Sequence, residues 1–122
     1  MKIAITSVGT DLDSRIDERF GRARYFVVVD TDTDTVTDVV DNLENQHASH
    51  GAGVQAAQSV ADKGVDWLLT GNVGPKAYQI LNQAGIKIAS GAAGTVREAV
   101  ERFKSGDYSE TCLLYTSPSP RD

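Results

Sequence analysis

The sequence predicts a three-layer α/β domain, in which a mixed five-stranded sheet carries helices on both faces. In the second half of the chain, short apolar runs alternate with segments whose apolar residues recur at helical spacing. That alternation requires parallel strands joined by right-handed crossovers. In the first half, two strand-like runs are separated by one short polar turn, which predicts an antiparallel hairpin at one side of the sheet.

Five runs have the β-branched and apolar residues that are typical of strands. They are residues 2–6, 24–30, 36–40, 67–69 and 86–89. Asp32, Thr33 and Asp34 lie between the second and third runs and predict the turn of the hairpin.

Three segments carry an apolar stripe with helical spacing, and a glycine follows each of them. They are residues 54–61 before Gly64, 77–84 before Gly85, and 96–103 before Gly106. Thr95 and Glu98 have the spacing of a capping box at the start of the third helix. The order β, hairpin, α, β, α, β, α favours a ribonuclease-H-like motif, with a flavodoxin-like arrangement as the alternative.

Composition narrows the classes of protein to consider. The chain has 122 residues, which is the size of one domain, and its 12 basic and 17 acidic residues give a net charge of −5. An acidic chain is not expected to bind nucleic acid. The sequence starts with a strand-like run instead of a signal peptide and has no apolar stretch long enough to span a membrane, so we expect a cytoplasmic protein without membrane partners.

The last eleven residues, 112–122, share no pattern with the preceding chain. They can be encoded by the transposase adapter used for sequencing libraries, and we interpret them as a non-native tail; a genuine Ser/Pro-rich tail is the alternative. The predicted domain is therefore 1–111. Because Cys112 is the only cysteine, that domain contains none.

Glycine-containing loops mark the predicted binding site. Ligands of open α/β sheets bind beyond the carboxyl ends of the parallel strands, where loops 7–10, 70–74 and 90–94 should converge. Pro75 fits the first turn of a helix, and the N–H groups of that turn favour anions. We expect Gly74 to leave the backbone open and to allow a positive φ. The candidate binding residues in these loops are Ser7, Gly9, Gly71, Asn72, Gly74, Gly91 and Gly94. A purely structural role in tight turns is the alternative.

Several segments together resemble a known family. They are the strand 1–5, Phe20-Gly21-Arg22-Ala23, the approach from Asn45 to Gly53, Thr70 to Ala77, and Gly85-Ile86. In this order and spacing they resemble the dinitrogenase iron–molybdenum cofactor biosynthesis family, of the NifX-like and NifB C-terminal domain type. The resemblance implies a ribonuclease-H-like fold and non-covalent carriage of an iron–sulfur or molybdenum/iron–sulfur cluster. It also implies metallocofactor assembly proteins as partners, although small stand-alone members occur in organisms without nitrogenase.

Candidate ligands for such a cargo are few. Without cysteine, His50 and His47 are the candidate metal ligands, and His50 better matches the position implied by the family. Arg22, with Arg19 and Arg24 nearby, is the candidate guanidinium for an anionic cluster. The alternative for Arg22 is an ion pair with an aspartate at position 11, 13 or 17.

Enzymatic functions are less well supported. A nuclease of ribonuclease-H type needs acidic residues on the central strand, but residues 3–6 are Ile, Ala, Ile and Thr. The phosphate-loop motif is absent. We therefore expect a carrier of an anionic metal–sulfur cluster that is not an enzyme. The alternative is a phosphate- or nucleotide-binding regulatory module without catalysis; a bound cluster would colour the protein and a nucleotide would not.

Overall fold

The computed structural model describes residues 1–21, 23–42, 52–92 and 94–106, which form a five-stranded sheet with three helices. In chain order the elements are β1 (Lys2–Ser7), β2 (Tyr25–Asp30), β3 (Thr35–Asp41), α1 (Ala52–Ala61), β4 (Trp67–Leu69), α2 (Pro75–Gln83), β5 (Lys87–Ala89) and α3 (Val96–Lys104). The predicted order of strands and helices is confirmed. Among the described helices the longest has ten residues, and none has the length and apolar character needed to cross a membrane.

The strands have the order β3-β2-β1-β4-β5, so β1 lies at the centre. It is antiparallel to β2 and parallel to β4, and β4 is parallel to β5. The predicted hairpin between β2 and β3 is present, with a register shift between Val28 and Val29. A mixed five-stranded α/β sheet is thereby confirmed, while the narrower ribonuclease-H-like assignment stays a prediction.

Two apolar cores lie on opposite faces of the sheet. α1 and α2 pack on one face, where Ala4 of β1 contacts the same core as Val60 and Leu81. α3 packs on the other face, where Ile3 and Ile5 are buried. Successive residues of a strand point to opposite sides, so β1 contributes to both cores. Helices on both faces of the sheet are confirmed.

The helix ends follow the local sequence. At the start of α3, the Glu98 N–H donates to Thr95 Oγ1 at 3.2 Å and the Thr95 N–H donates to Glu98 Oε1 at 2.9 Å. The predicted capping box is therefore present. Gly64, Gly85 and Gly106 follow the three helices with positive φ, a conformation in which glycine lacks the steric penalty of other residues.

One element was not predicted. Residues 15–20, hereafter the crossing segment, run over the carboxyl ends of β1 and β4. The Asp17 N–H donates to the Thr6 carbonyl at 3.1 Å, and the Asn72 N–H donates to the Glu18 carbonyl at 2.7 Å. On the other side, the Ile16 N–H donates to the Gly94 carbonyl at 2.9 Å. The crossing segment therefore lies between the loops that the sequence analysis expected to converge.

Candidate functional site

A cavity of about 670 Å³ lies where α1 and α2 begin; we call it the helix-end cavity. This volume is within the range of small-molecule sites, about 300–1,000 Å³. The lining residues are Arg19, Phe20, Gly21, Gly53, Val54, Asn72, Val73, Gly74, Pro75, Lys76 and Ala77. Most are apolar or glycine, and none of these described lining residues is acidic.

The start of α2 has unused hydrogen-bond donors. Gly74 is the N-cap residue and provides no side-chain cap, and Pro75 follows it. Within the described part of the chain, the N–H groups of Lys76 and Ala77 have no hydrogen-bond partner. Ala77 is only 3% exposed, so its N–H depends on a ligand or a water molecule for a partner. The helix start therefore offers N–H donors for an anion, and anion binding there stays a prediction.

Gly74 does not adopt the positive φ that glycine allows. Its φ is −78° and its ψ is 164°, which is extended backbone. The reason is that a residue before proline is sterically restricted to the extended region. A Cβ atom added at Gly74 would meet no atom within 4 Å. The position is thus open toward the cavity, and a side chain there would displace ligand or solvent instead of protein atoms.

The start of α1 lies against the start of α2. A Cβ atom added at Gly53 would lie 3.6 Å from Cβ of Ala77, which shows how closely the two helices approach. The positive ends of two helix dipoles therefore lie next to the same cavity. This arrangement strengthens the attraction of the site for negative charge.

Two cationic residues line the helix-end cavity, and their side chains differ in their surroundings. Arg19 contacts Asp17, with Nε 3.3 Å from Oδ1 and Nη2 3.4 Å from Oδ2. Asp17 is 7% exposed, whereas the Arg19 side chain is 60% exposed. Lys76 is exposed and has no ion-pair partner among the described residues. The cavity thus combines one oriented guanidinium with one free ammonium group.

A second cavity of about 350 Å³ lies on the other side of the crossing segment. It is lined by Val8, Arg15, Ile16, Asp17, Glu18, Arg19 and Gly94. Two acidic and two basic residues contribute to this lining, so their formal charges cancel, and the nearby start of α3 is already capped by its own Glu98 side chain. An anion is therefore better accommodated in the helix-end cavity.

The two cavities described above divide the predicted binding residues between them, while the Gly91 N–H donates to the Gly71 carbonyl at 3.0 Å and so joins two of the predicted loops. Asn72 and Gly74 line the helix-end cavity, and Gly94 lines the second cavity. Gly91 lines neither of these two cavities.

Three predicted residues are engaged in local structure. The Ser7 hydroxyl donates to the Arg15 carbonyl at 3.4 Å and accepts from the Gly9 N–H at 3.1 Å. A Cβ atom at Gly71 would lie 2.7 Å from the backbone of Glu18, so glycine is needed for the crossing segment to approach. None of the three lines either cavity. Direct roles in binding for these residues stay predictions.

The candidate metal ligands His47 and His50, Arg22, and the tail 112–122 lie outside the described residues. Within the residues that are described, no group of three or more His, Cys, Asp or Glu side chains could hold a metal ion. Two of the aspartates considered as partners of Arg22 are engaged elsewhere, since Asp17 contacts Arg19 and Asp13 contacts Arg97. The role of Arg22 stays a prediction.

Arg19, Val54 and Val73 line the helix-end cavity but were not among the predicted site residues. Phe20 also lines it and is buried against Phe26, with ring centroids 5.2 Å apart. One signal was available: two apolar residues, at positions 16 and 20, bracket a charged run. Such a pattern indicates a segment that packs on the core at both ends.

The profile of the family described as dinitrogenase iron-molybdenum cofactor matches residues 1–106. The apo form of the orange protein from Desulfovibrio gigas has a similar structure, with a TM-score of 0.86, 50% sequence identity, and coverage of 90% of this chain and 92% of that one. A NifB-like protein from Thermotoga gives a TM-score of 0.77 at 38% identity, covering 99% and 98% of the two chains. An uncharacterised protein of Methanocaldococcus jannaschii is 26% identical over 109 residues, which are 87% of this chain and 92% of that protein. The chain belongs to the dinitrogenase iron-molybdenum cofactor family.

Proposed function

We propose that this protein binds an anionic metal–sulfur cluster, or a precursor of the iron–molybdenum cofactor, without covalent attachment and carries it during metallocofactor assembly. The observation that supports this most directly is the helix-end cavity. Two helix starts and two cationic side chains line it, and no carboxylate does so among the described lining residues. In a chain of net charge −5, such a concentration of positive potential favours an anionic cargo.

The chemistry of the lining suits a sulfur-rich cargo. Sulfide ligands on a metal are weak hydrogen-bond acceptors and need few donors, and the apolar residues Phe20, Val54 and Val73 offer contact surface instead. Clusters that remain in a protein are normally held by several cysteine thiolates. The described residues include no cysteine, so the cargo would be exchangeable, as a carrier requires.

Family membership connects the chain to the biosynthesis or carriage of the iron–molybdenum cofactor. One relative is named for an orange colour, and its structure is that of an apo form. Ordinary amino acids do not absorb visible light, so the name fits a bound chromophore such as a metal–sulfur cluster. The family does not favour the alternative of a phosphate- or nucleotide-binding module. We propose a carrier that is not an enzyme, with assembly proteins as donor and acceptor.

Two finer assignments belong to the same proposal. The strand order with β1 at the centre supports a ribonuclease-H-like motif. His50, and to a lesser extent His47, would supply direct bonds to the metal, because neutral imidazole is a common ligand where thiolates are lacking. These bonds would add to the electrostatic contribution of the helix-end cavity.

The test is anaerobic purification followed by metal and sulfide analysis and visible absorbance. The purified protein should also be titrated with tetrathiomolybdate, a soluble molybdenum sulfide anion, and incubated with ferrous iron and sulfide. We expect a coloured species that co-elutes with the protein in gel filtration and that a chelator or acceptor removes. A protein that stays colourless under all three conditions, yet binds a nucleotide or inorganic phosphate, would contradict the proposal.

A further inference from the structure

We infer that Arg19 is a cargo-binding residue of the helix-end cavity and that Asp17 is the residue that positions its guanidinium. This inference rests on the proposed function, because it names the cation that recognises the cargo. It is carried by the geometry of the crossing segment. Asp17 and Arg19 lie two residues apart on this segment, which is held by backbone hydrogen bonds at both sides.

Asp17 is fixed from three directions. Its N–H donates to the Thr6 carbonyl at 3.1 Å, and its own carbonyl accepts from Thr6 Oγ1 at 2.6 Å. Its carboxylate accepts from the Arg19 N–H at 3.0 Å and is almost completely buried. A carboxylate held in this way has a fixed position and can orient the side chain that pairs with it.

Arg19 makes a two-point contact with this carboxylate through Nε and Nη2. A guanidinium has five N–H donors in one plane, so the remaining donors can still bind another acceptor. No other partner of the Arg19 side chain is found among the described residues, and Arg19 lies between the two cavities and lines both of them. The planar edge that remains suits a cluster edge with two adjacent sulfide ligands.

Orientation by Asp17 gives Arg19 an advantage over Lys76. A flexible cation loses conformational entropy when it contacts a ligand, whereas a side chain that is already held loses less. Lys76 is exposed and has no such contact in the described part of the structure. Arg19 should therefore contribute a specific contact, and Lys76 a diffuse charge that salt screens.

The experiment measures tetrathiomolybdate affinity by anaerobic titration of the wild-type protein and five variants. They are Arg19→Gln, Arg19→Lys, Asp17→Asn, the double variant Asp17→Asn with Arg19→Gln, and the matched control Lys76→Gln. We expect Arg19→Gln to weaken binding by about tenfold or more and Lys76→Gln by less than about threefold at physiological salt. Arg19→Lys keeps the charge but loses the planar fork, so it should fall between them.

The double variant distinguishes positioning from general structural damage. If Asp17 acts through Arg19, Asp17→Asn weakens binding by about threefold to tenfold in the wild-type background but has no further effect beside Arg19→Gln. Circular dichroism verifies that each variant folds; should Asp17→Asn fail to fold, the Arg19→Lys and Lys76→Gln pair still decides the role of Arg19. If the wild type, Arg19→Gln and Arg19→Lys bind tetrathiomolybdate with equal affinity, the inference about Arg19 is overturned but the proposed function is not. Failure of the wild-type protein to bind any metal–sulfur species would overturn the proposed function and this inference with it.

Discussion

Substitutions at Gly74 should have opposite effects on the stability of α2 and on anion binding. It is the N-cap residue, its backbone is already extended, and a Cβ atom there meets nothing within 4 Å. Aspartate and asparagine are preferred N-cap residues, and alanine is not. We therefore predict that Gly74→Asp stabilises the fold while it weakens binding of the cargo.

The stabilisation has three overlapping sources. As an N-cap residue, aspartate stabilises a helix by a few tenths of a kcal/mol more than glycine does. Its negative charge at the helix start adds about 0.3–1 kcal/mol to the free energy of unfolding. Replacing glycine also reduces the conformational entropy of the unfolded chain, which adds about 0.4–1 kcal/mol. We expect a net gain of about 0.5–1.5 kcal/mol in the free energy of unfolding. For a domain of this size this corresponds to a rise in Tm of about 2–8 °C, measurable by circular dichroism.

The loss of binding follows from charge and from occupied donors. A carboxylate about 6 Å from the cargo, at an effective dielectric constant of about 20–40, costs about 1.4–2.8 kcal/mol for each unit of negative charge. Binding of tetrathiomolybdate should therefore weaken by about tenfold to a hundredfold. Gly74→Asn is the matched control, because it caps the same N–H groups without charge, and Gly74→Ala adds only a methyl group.

The expected order of affinity is wild type, then alanine, then asparagine, then aspartate. An aspartate variant that is more stable than wild type but binds tetrathiomolybdate as tightly as the alanine variant would refute the assignment of the anion site. Since none of the three side chains contacts protein atoms at Cβ, an unfolded variant is not expected.

Three further outcomes can be measured on the same protein. His50→Ala should lower cluster retention without unfolding the protein. Cluster retention by the wild type should decrease when the pH is lowered below about 6.5, because a protonated imidazole cannot bind a metal. Cluster retention that is independent of pH would contradict this. Gly71→Ala should destabilise the fold by about 1–3 kcal/mol in urea unfolding, since its Cβ atom would lie 2.7 Å from the backbone of Glu18. The hydrogen bond from Lys63 lowers the pKa of Asp38. A carboxyl group whose pKa is lowered on folding stabilises the fold at a pH above its pKa in the unfolded chain, and this contribution is lost as the pH falls through its pKa in the folded protein. Asp38→Asn should therefore lower the free energy of unfolding by at most about 1 kcal/mol at neutral pH and should have no effect under acidic conditions.

Most of the fold could be predicted because each element carries its own local signal. The hairpin turn, the capping box of α3 and the glycine after each helix depend on residues close in sequence, and all three are present. The parallel pairing of β4 with β5 was predictable because a helix connects the two strands. The extended backbone of Gly74 also has a local cause, since a proline follows it.

The site was less predictable because it depends on contacts distant in sequence. Asn72 and Gly74 were identified from the helix start, and they do line the helix-end cavity. Ser7 and Gly71 were grouped with them because all lie in loops beyond parallel strands. The structure shows that these two interact with the residues around the crossing segment, whose path depends on hydrogen bonds to residues distant in sequence.

The crossing segment also explains how an acidic protein obtains a cavity suited to an anion. Residues 17–19 read Asp-Glu-Arg, which in the sequence has a net negative charge and suggests no anion site. In the fold, Asp17 and Glu18 line the second cavity, whereas only Arg19 of the three lines the helix-end cavity as well. The backbone of the segment, held between Thr6 and Asn72, therefore separates charges that are adjacent along the chain. Because the electrostatic potential depends on distance in space, the path of these six residues decides which cavity attracts negative charge.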